Sequence, residues 1–350
     1  MSEQRRGLLI GSLSALILAT LTLFQNCGGG FDATTGSLSS LQSEVASCER
    51  VQPAAMLSQT CQKLVDDGLR SFSNLKLYEP QYPLYSDNAT KRRWIYLPMN
   101  RQIDTTDPDG WIFPRGTILW KEFAYNGRRV ETRQLEKIAD GEGVTTWRTS
   151  VYIWRVDQTD ADLLVGDFYA DYAPADQARY EAAAVQASYS IVNSTQCMAC
   201  HQGARDVGTG FSYLQLSHLG TRPDTTINYF SSSGFFTNPP RAFDQIPGGP
   251  AAASAIGYIQ SNCATCHNPR GIAPLAANFL HLSTNLTLAD ENIIKNSAGG
   301  VNYVLPGNPD QSRVVIRMTA NTMPPRNRVP LRMTDQQGLQ TLRTWISALQ

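Results

Sequence analysis

Thr117-Ile118-Leu119-Trp120-Lys121-Glu122-Phe123-Ala124-Tyr125-Asn126-Gly127 is the stretch on which the fold turns. Thr117–Trp120 and Phe123–Tyr125 are runs of β-branched and aromatic residues, and Asn126-Gly127 behind them is a turn signal. Outward from it, Trp94-Ile95-Tyr96-Leu97 and Ser150-Val151-Tyr152-Ile153-Trp154 have the same texture. Asp109-Gly110 and Asp140-Gly141 supply further turns. The pattern predicts an antiparallel β-rich domain over residues 75–185, with its strands between Leu75 and about Val165.

Downstream the texture becomes helical. The Ala-rich run Pro174–Ala187 is expected as one helix, and residues 221–250, rich in Ser, Gly and Pro, as loop and inter-domain connection. Ala251–Asn262 reads as a helix, and Leu288–Asn296 as another with Thr287 as its N-cap. A further helix begins at Asn308-Pro309-Asp310 and carries Val314, Val315 and Met318. Thr334 is expected to cap the last, whose apolar face is Leu339, Leu342, Trp345, Ile346 and Leu349. The expected fold class is α+β multidomain: the β-rich domain, a small segment over 186–248, and an all-α domain over 249–350.

Upstream, residues 1–26 read as an export signal. Arg5 and Arg6 precede the uncharged apolar run Gly7–Phe24, and Gln25-Asn26 lead to Cys27. Cys27 followed by three glycines resembles a lipoprotein cleavage site and tether, although Gln25 and Asn26 stand where small residues are usual. The alternative is an uncleaved anchor with Cys27 unmodified. Either places the rest of the chain outside the cytoplasm, periplasmic or at the cell surface and held to a membrane. Residues 27–74 read as a tether with a short helical segment at Gln52–Phe72. An oxidising compartment favours a disulfide between Cys48 and Cys61.

The remaining four of the seven cysteines fall in Cys197-Met198-Ala199-Cys200-His201 and Cys263-Ala264-Thr265-Cys266-His267. Cysteines three apart on a helical turn lie side by side. They can reach two vinyl groups of one porphyrin, while the following histidine faces the iron; this is the c-type haem attachment pattern. The expectation is two covalent haem c groups, held by Cys197 and Cys200 and by Cys263 and Cys266, with His201 and His267 as iron ligands. Zinc is the competing reading, disfavoured because the motifs stand far apart in the chain.

Met323, before Pro324-Pro325, is the candidate sixth ligand of the second haem, with Met318 and Met333 in reserve. Pro274 is a candidate carbonyl partner for the His267 ring. The chain has four histidines, so beyond the motifs only His218 and His281 remain. His218 is a candidate sixth ligand of the first haem, ahead of Met198 and Met99; an open sixth position is the alternative. Glu131 and Arg133, with Lys121 and Asp87, either form a polar site facing that haem or pair as ions on the strand surface, which is favoured.

The 249–350 region resembles the class I cytochrome c domain. The resemblance rests on Gly257-Tyr258, the second attachment motif, the Met323-Pro324 loop and Trp345 on a terminal helix. It implies first and last helices that cross with a small residue and aromatics at the contact. Residues 75–217 are similar to a family of largely uncharacterised secreted bacterial haem proteins in which a β-rich domain precedes the first motif. That likeness rests on Tyr82-Pro83-Leu84-Tyr85-Ser86-Asp87 with Lys91-Arg92, Phe113-Pro114-Arg115-Gly116-Thr117 with Lys121, Glu131-Thr132-Arg133, Tyr152-Ile153-Trp154, the first motif and Gln215-Leu216. The family pattern places Asn after Gln-Leu; here Ser217 and His218 follow.

A formal net charge of zero argues against nucleic acid as a partner. Ala251–Gln350 holds eight Lys/Arg against four Asp/Glu, leaving 22 against 26 elsewhere, so this region is +4 and the rest −4. A basic domain suits an acidic periplasmic or surface redox protein. Electron transfer through the haem irons is therefore expected. A peroxidase-like dihaem oxidoreductase and a haem-bearing sensor module are the alternatives.

Overall fold

Side chains alternate between the two faces of a strand, so a strand buried on both faces has no polar side. That is how the quoted stretch folds. In the computed structural model both of its runs belong to one strand, β3 (Ile118–Tyr125). Asn126 and Gly127 take φ of 50° and 79°, the left-handed pair that a two-residue hairpin demands. Tyr125 pairs with Arg128 across that turn. The sheet is a six-stranded antiparallel meander in sequence order. Its other strands are β1 (Leu75–Leu77), β2 (Thr90–Tyr96), β4 (Arg128–Lys137), β5 (Trp147–Trp154) and β6 (Ala161–Leu163). The chain is thus a mixed α+β structure, with eight α-helices beside this sheet among the described residues. Described are residues 75–166, 174–186, 188–218, 222–240, 246–273, 303–325 and 331–350. The expected signal and tether, Cys27, Cys48, Cys61, the 288–296 helix, Pro274 and His281 lie outside them.

One face of the sheet carries Trp94, Tyr96, Ile118 and Trp120. Two indole N–H groups there are satisfied along the sheet, Trp120 donating to Gln134 and Trp154 to Thr132, each at 3.0 Å, whereas the buried Trp94 indole N–H has no partner among the described residues. The other face carries Ile95, Leu119 and Trp147 in one core cluster and Phe123, Val151 and Ile153 in another.

That second face is covered by chain the sequence assigned elsewhere. The expected helix at 174–187 is instead two short ones, α1 (Pro174–Gln177) and α2 (Glu181–Val185). Between them Tyr180 is extended and bridges to Arg155 beside β5, which breaks the helix. Then come α3 (Ser194–His201), which carries the first motif, and α4 (Tyr213–Leu216). The expected loop at 221–250 contains a 3-10 turn at Pro223–Thr225 and α5 (Ile227–Ser232). Its Phe230, Phe235 and Phe236 are buried against Trp111, Phe113 and Phe211 in the sheet's own cluster. Gly, Ser and Pro dominate that segment by count, but its aromatics dominate its energetics. The 186–248 segment therefore shares the β domain's cores.

Asp206 ties this layer together. Its carboxylate accepts from the Phe113 N–H and the Trp147 indole, each at 2.8 Å, and pairs with Lys137, whose side chain is fully buried like its own. Lys137 also donates to the Thr146 hydroxyl at 2.8 Å. Removing one charge of a buried pair strands the other, at a cost of about 3–5 kcal/mol. Asp206→Asn is expected to lower unfolding free energy by about that amount, read by urea denaturation.

The C-terminal part is helical: α6 (Gly249–Asn262), α7 (Arg313–Thr319) and α8 (Gln336–Ala348). The Asn308-Pro309-Asp310 signal begins a 3-10 turn, and α7 follows it. The expected α8 face is buried at Leu339, Leu342, Trp345 and Ile346, against Ala252, Ala255 and Ile259 of α6. The cap is Asp335, one residue later than expected; its carboxylate accepts from the Gly338 N–H at 2.8 Å. The Thr334 hydroxyl instead meets the Asn321 side chain at 2.6 Å. At the α6–α8 contact the Tyr258 ring fills the space where Gly338 lacks a side chain, while the Tyr82 ring lies against Gly257.

Candidate functional site

The first motif is built from a capped helix. Asn193 accepts from the Gln196 N–H at 2.9 Å, and the Gln196 side chain accepts from the Asn193 N–H at 3.0 Å, a reciprocal box that fixes where α3 begins. This sets Cys197 one turn in, buried in the Phe123 and Val151 cluster, and His201 at the helix end. The His201 Nδ1 lies 2.7 Å from the Val207 carbonyl. Val207 adopts φ 65°, a conformation rare for a β-branched residue, where its carbonyl meets the imidazole. Burial, helped by Lys121 and Arg133, pulls the His201 pKa down to about 4. The ring is therefore neutral near pH 7. Nδ1–H donates to Val207 and the Nε2 lone pair is left for a metal, the arrangement of a histidine ligand oriented by a backbone carbonyl.

The second motif follows α6, with Cys263 as its C-cap and the His267 N–H donating to the Cys263 carbonyl at 2.9 Å. Burial, then Cys266, push the Cys263 thiol up to about 12. The β domain grips this helix just before the motif. The Ser261 hydroxyl donates to the Tyr82 carbonyl at 2.6 Å and accepts from the Gln215 amide at 2.9 Å. The Tyr85 N–H donates to the Asn262 side chain at 2.7 Å. The Tyr82–Asp87 stretch and Gln215 thus join the two halves.

The two motifs, 66 residues apart in number, abut in space. Gly203, just past the first, packs so closely on the Thr265 carbonyl that no side chain fits there. The Cys200 thiol is raised above its usual range by a hydrogen bond with Cys266 and by burial. None of the four motif cysteines is in a disulfide. Distance in the sequence was thus a poor argument against a shared zinc. Among the described residues no group of three or more His, Cys, Asp or Glu side chains is arranged as a metal site.

A single cavity of about 840 Å3 is lined by both motifs, including Cys197, Cys200, His201, Cys263, Cys266 and His267. That lies in the upper part of the roughly 300–1,000 Å3 range of sites that bury small ligands and cofactors. Met318, Met323 and Met333 also line it, with Pro324 and Pro325. Met318 is buried at 8% exposure, whereas Met323 is 36% exposed. Asp87 reaches across from the β domain. Its buried carboxylate accepts from the Arg332 N–H at 2.9 Å and the Met333 N–H at 2.9 Å, so it holds the backbone at those two residues.

His218 is not brought to the cavity. Its Nε2 lies 2.7 Å from the Glu79 carbonyl, and it is absent from the lining. Met198 packs against the sheet's cluster and Met99 is 48% exposed; neither lines the cavity.

The charges on β3 and β4 were read as surface pairs, and burial overturns that. Glu131 has no exposed surface, and Arg133 and Lys121 line the cavity beside the first motif. Arg133 donates through Nε to Glu131 at 3.1 Å, and the Tyr189 hydroxyl donates to the same carboxylate. Burial opposes the Arg133 charge, but Glu131 and Tyr189 outweigh it and hold its pKa above the usual value. Strict alternation would have found these residues: Lys121 lies between Leu119 and Phe123 on the buried face. Tyr189 and Asp206 gave no local signal, because their partners are distant in sequence, and Val207 gave none because its role depends on its left-handed backbone.

No protein-family model, curated protein or solved structure matches this chain. Among the described residues no helix is long and apolar enough to cross a membrane.

Proposed function

We propose that this chain is an exported, membrane-tethered dihaem c-type cytochrome that carries electrons through two covalently bound haems. The observation that carries the reading is that both attachment motifs open into one cavity and touch each other. The residues fit the group. Cys197 with Cys200 and Cys263 with Cys266 would form the thioethers, and His201 and His267 would hold the irons. Met323, which lines the cavity, would be the sixth ligand of the second site. Residues 249–350 would then be the class I cytochrome c domain, with α6 and α8 as its crossing first and last helices. Bound haem supplies a one-electron iron couple. The chain keeps His201 neutral and oriented. A basic C-terminal region suits an acidic periplasmic or surface redox partner.

One observation favours the second reading, a peroxidase-like oxidoreductase with an open position at the first haem. His218 is tied to the Glu79 carbonyl, and Lys121 and Arg133 line the cavity near His201. Visible and electron paramagnetic resonance spectra with cyanide and peroxide separate the two. Two low-spin haems that ignore both ligands, with reversible one-electron titrations, are expected of a carrier. A high-spin haem that turns over peroxide would replace the carrier with the enzyme.

A further inference from the structure

Three cations stand in a row across the sheet floor of the cavity. Arg93 of β2 is the direct partner of Lys121 of β3, and Lys121 is the direct partner of Arg133 of β4. All three line the cavity with Cys197, Cys200 and His201. Like charges directly opposite across a sheet repel, and burial makes each cation costlier still. Glu131, hydrogen-bonded with Tyr189, pairs directly with Arg133 and attracts Lys121 at longer range. Lys121 meets the Phe123 ring, its Nζ 4.8 Å from the centroid, and has no salt bridge or hydrogen bond among the described residues. Arg93, 7% exposed, likewise has no side-chain hydrogen bond or salt bridge there. Lys91, on the same face, donates to the Leu84 carbonyl at 2.7 Å.

Glu79 attracts Arg93 without a hydrogen bond or salt bridge to it, and the other acidic groups facing the row are engaged. Asp87 holds the Arg332 and Met333 N–H groups, and Asp335 caps α8. Burial holds the Lys121 pKa well below its usual value, and among the described residues no carboxylate contacts Lys121 or Arg93, so the cavity wall carries basic groups that an entering anion would complement.

We propose that Arg93, Lys121 and Arg133 form a seat for a carboxylate-class anion. Two oxygens of such a group can bridge neighbouring cations, as an arginine fork and an ammonium allow. The chemistry has two sources: a propionate of a bound haem, which rests on the dihaem reading, or a small free anion admitted to the cavity.

The test compares the full haem-loaded chain with its Lys121→Met variant. Acetate and phosphate are titrated calorimetrically and by the Soret band, and the propionate bending mode is read by resonance Raman. If the anion is free, acetate binds the wild type and binds the variant about tenfold or more weakly. If it is a propionate, added anions do nothing and the bending mode shifts in the variant. Either result supports the seat. Failure of both, with haem content equal in the two proteins, overturns it. Should Lys121→Met not retain haem, Arg93→Gln is judged by the same readouts. A wild type without haem would sink the dihaem reading alone. Calorimetry would still decide the seat: acetate or phosphate binding that Lys121→Met weakens keeps it, and no binding removes it.

Discussion

Replacing Cys197 and Cys200 together by alanine should leave a chain that carries one haem where the wild type carries two. The thiols of the first motif belong to α3 on the β-domain side, with Cys197 packed in the Phe123 and Val151 cluster. Those of the second belong to the end of α6, whose core is made with α7 and α8. Each attachment is therefore supported by a different core, even though the motifs touch at Gly203 and Thr265. Loss of one thioether pair should not unfold the other. Intact mass of the purified double variant reads the result directly. Two haems remaining would mean that the first motif is not an attachment site. None remaining would mean that the touching motifs mature as one unit.

Met323→Ala should lower the reduction potential of one haem by a large part of the roughly 0.8 V span that axial ligands control, and leave the other near its wild-type value. Met318 supplies the contrast, because it lines the same cavity but sits in the helical core at 8% exposure. Met318→Ala is expected to cost about 2–5 kcal/mol of stability with little change in potential. Spectroelectrochemistry and urea denaturation of the two variants measure both effects. If Met318→Ala moves the potential and Met323→Ala does not, the ligand assignment passes to the core methionine.

The parts of this molecule that declared themselves in the sequence are those whose signals are local. Asn126-Gly127 specifies a turn from two residues, and the aromatic runs flanking it specify strands. The periodic face of α8 is apolar because that helix buries one side only. Each attachment motif is five residues long and needs no partner to be recognised. What escaped was non-local. Strand β4, Arg128–Lys137, lies inside the sheet yet reads as a charged surface. Its Glu131 and Arg133 pair with each other and with Tyr189, and its Lys137 pairs with Asp206; Tyr189 and Asp206 are distant in sequence. Phe230, Phe235 and Phe236 were hidden among Ser, Gly and Pro, and their burial depends on a sheet built more than a hundred residues earlier. The His201 partner, Val207, is close in sequence, but only its left-handed backbone makes it an acceptor there. His218 shows the converse: nearness to His201 suggested a ligand, and the fold ties it to Glu79 instead.

The most direct measurement is the pyridine haemochrome spectrum and intact mass of the full-length chain, produced in a host able to mature c-type cytochromes. Two thioether-linked haems per polypeptide are expected. A colourless protein at the bare polypeptide mass would contradict the account.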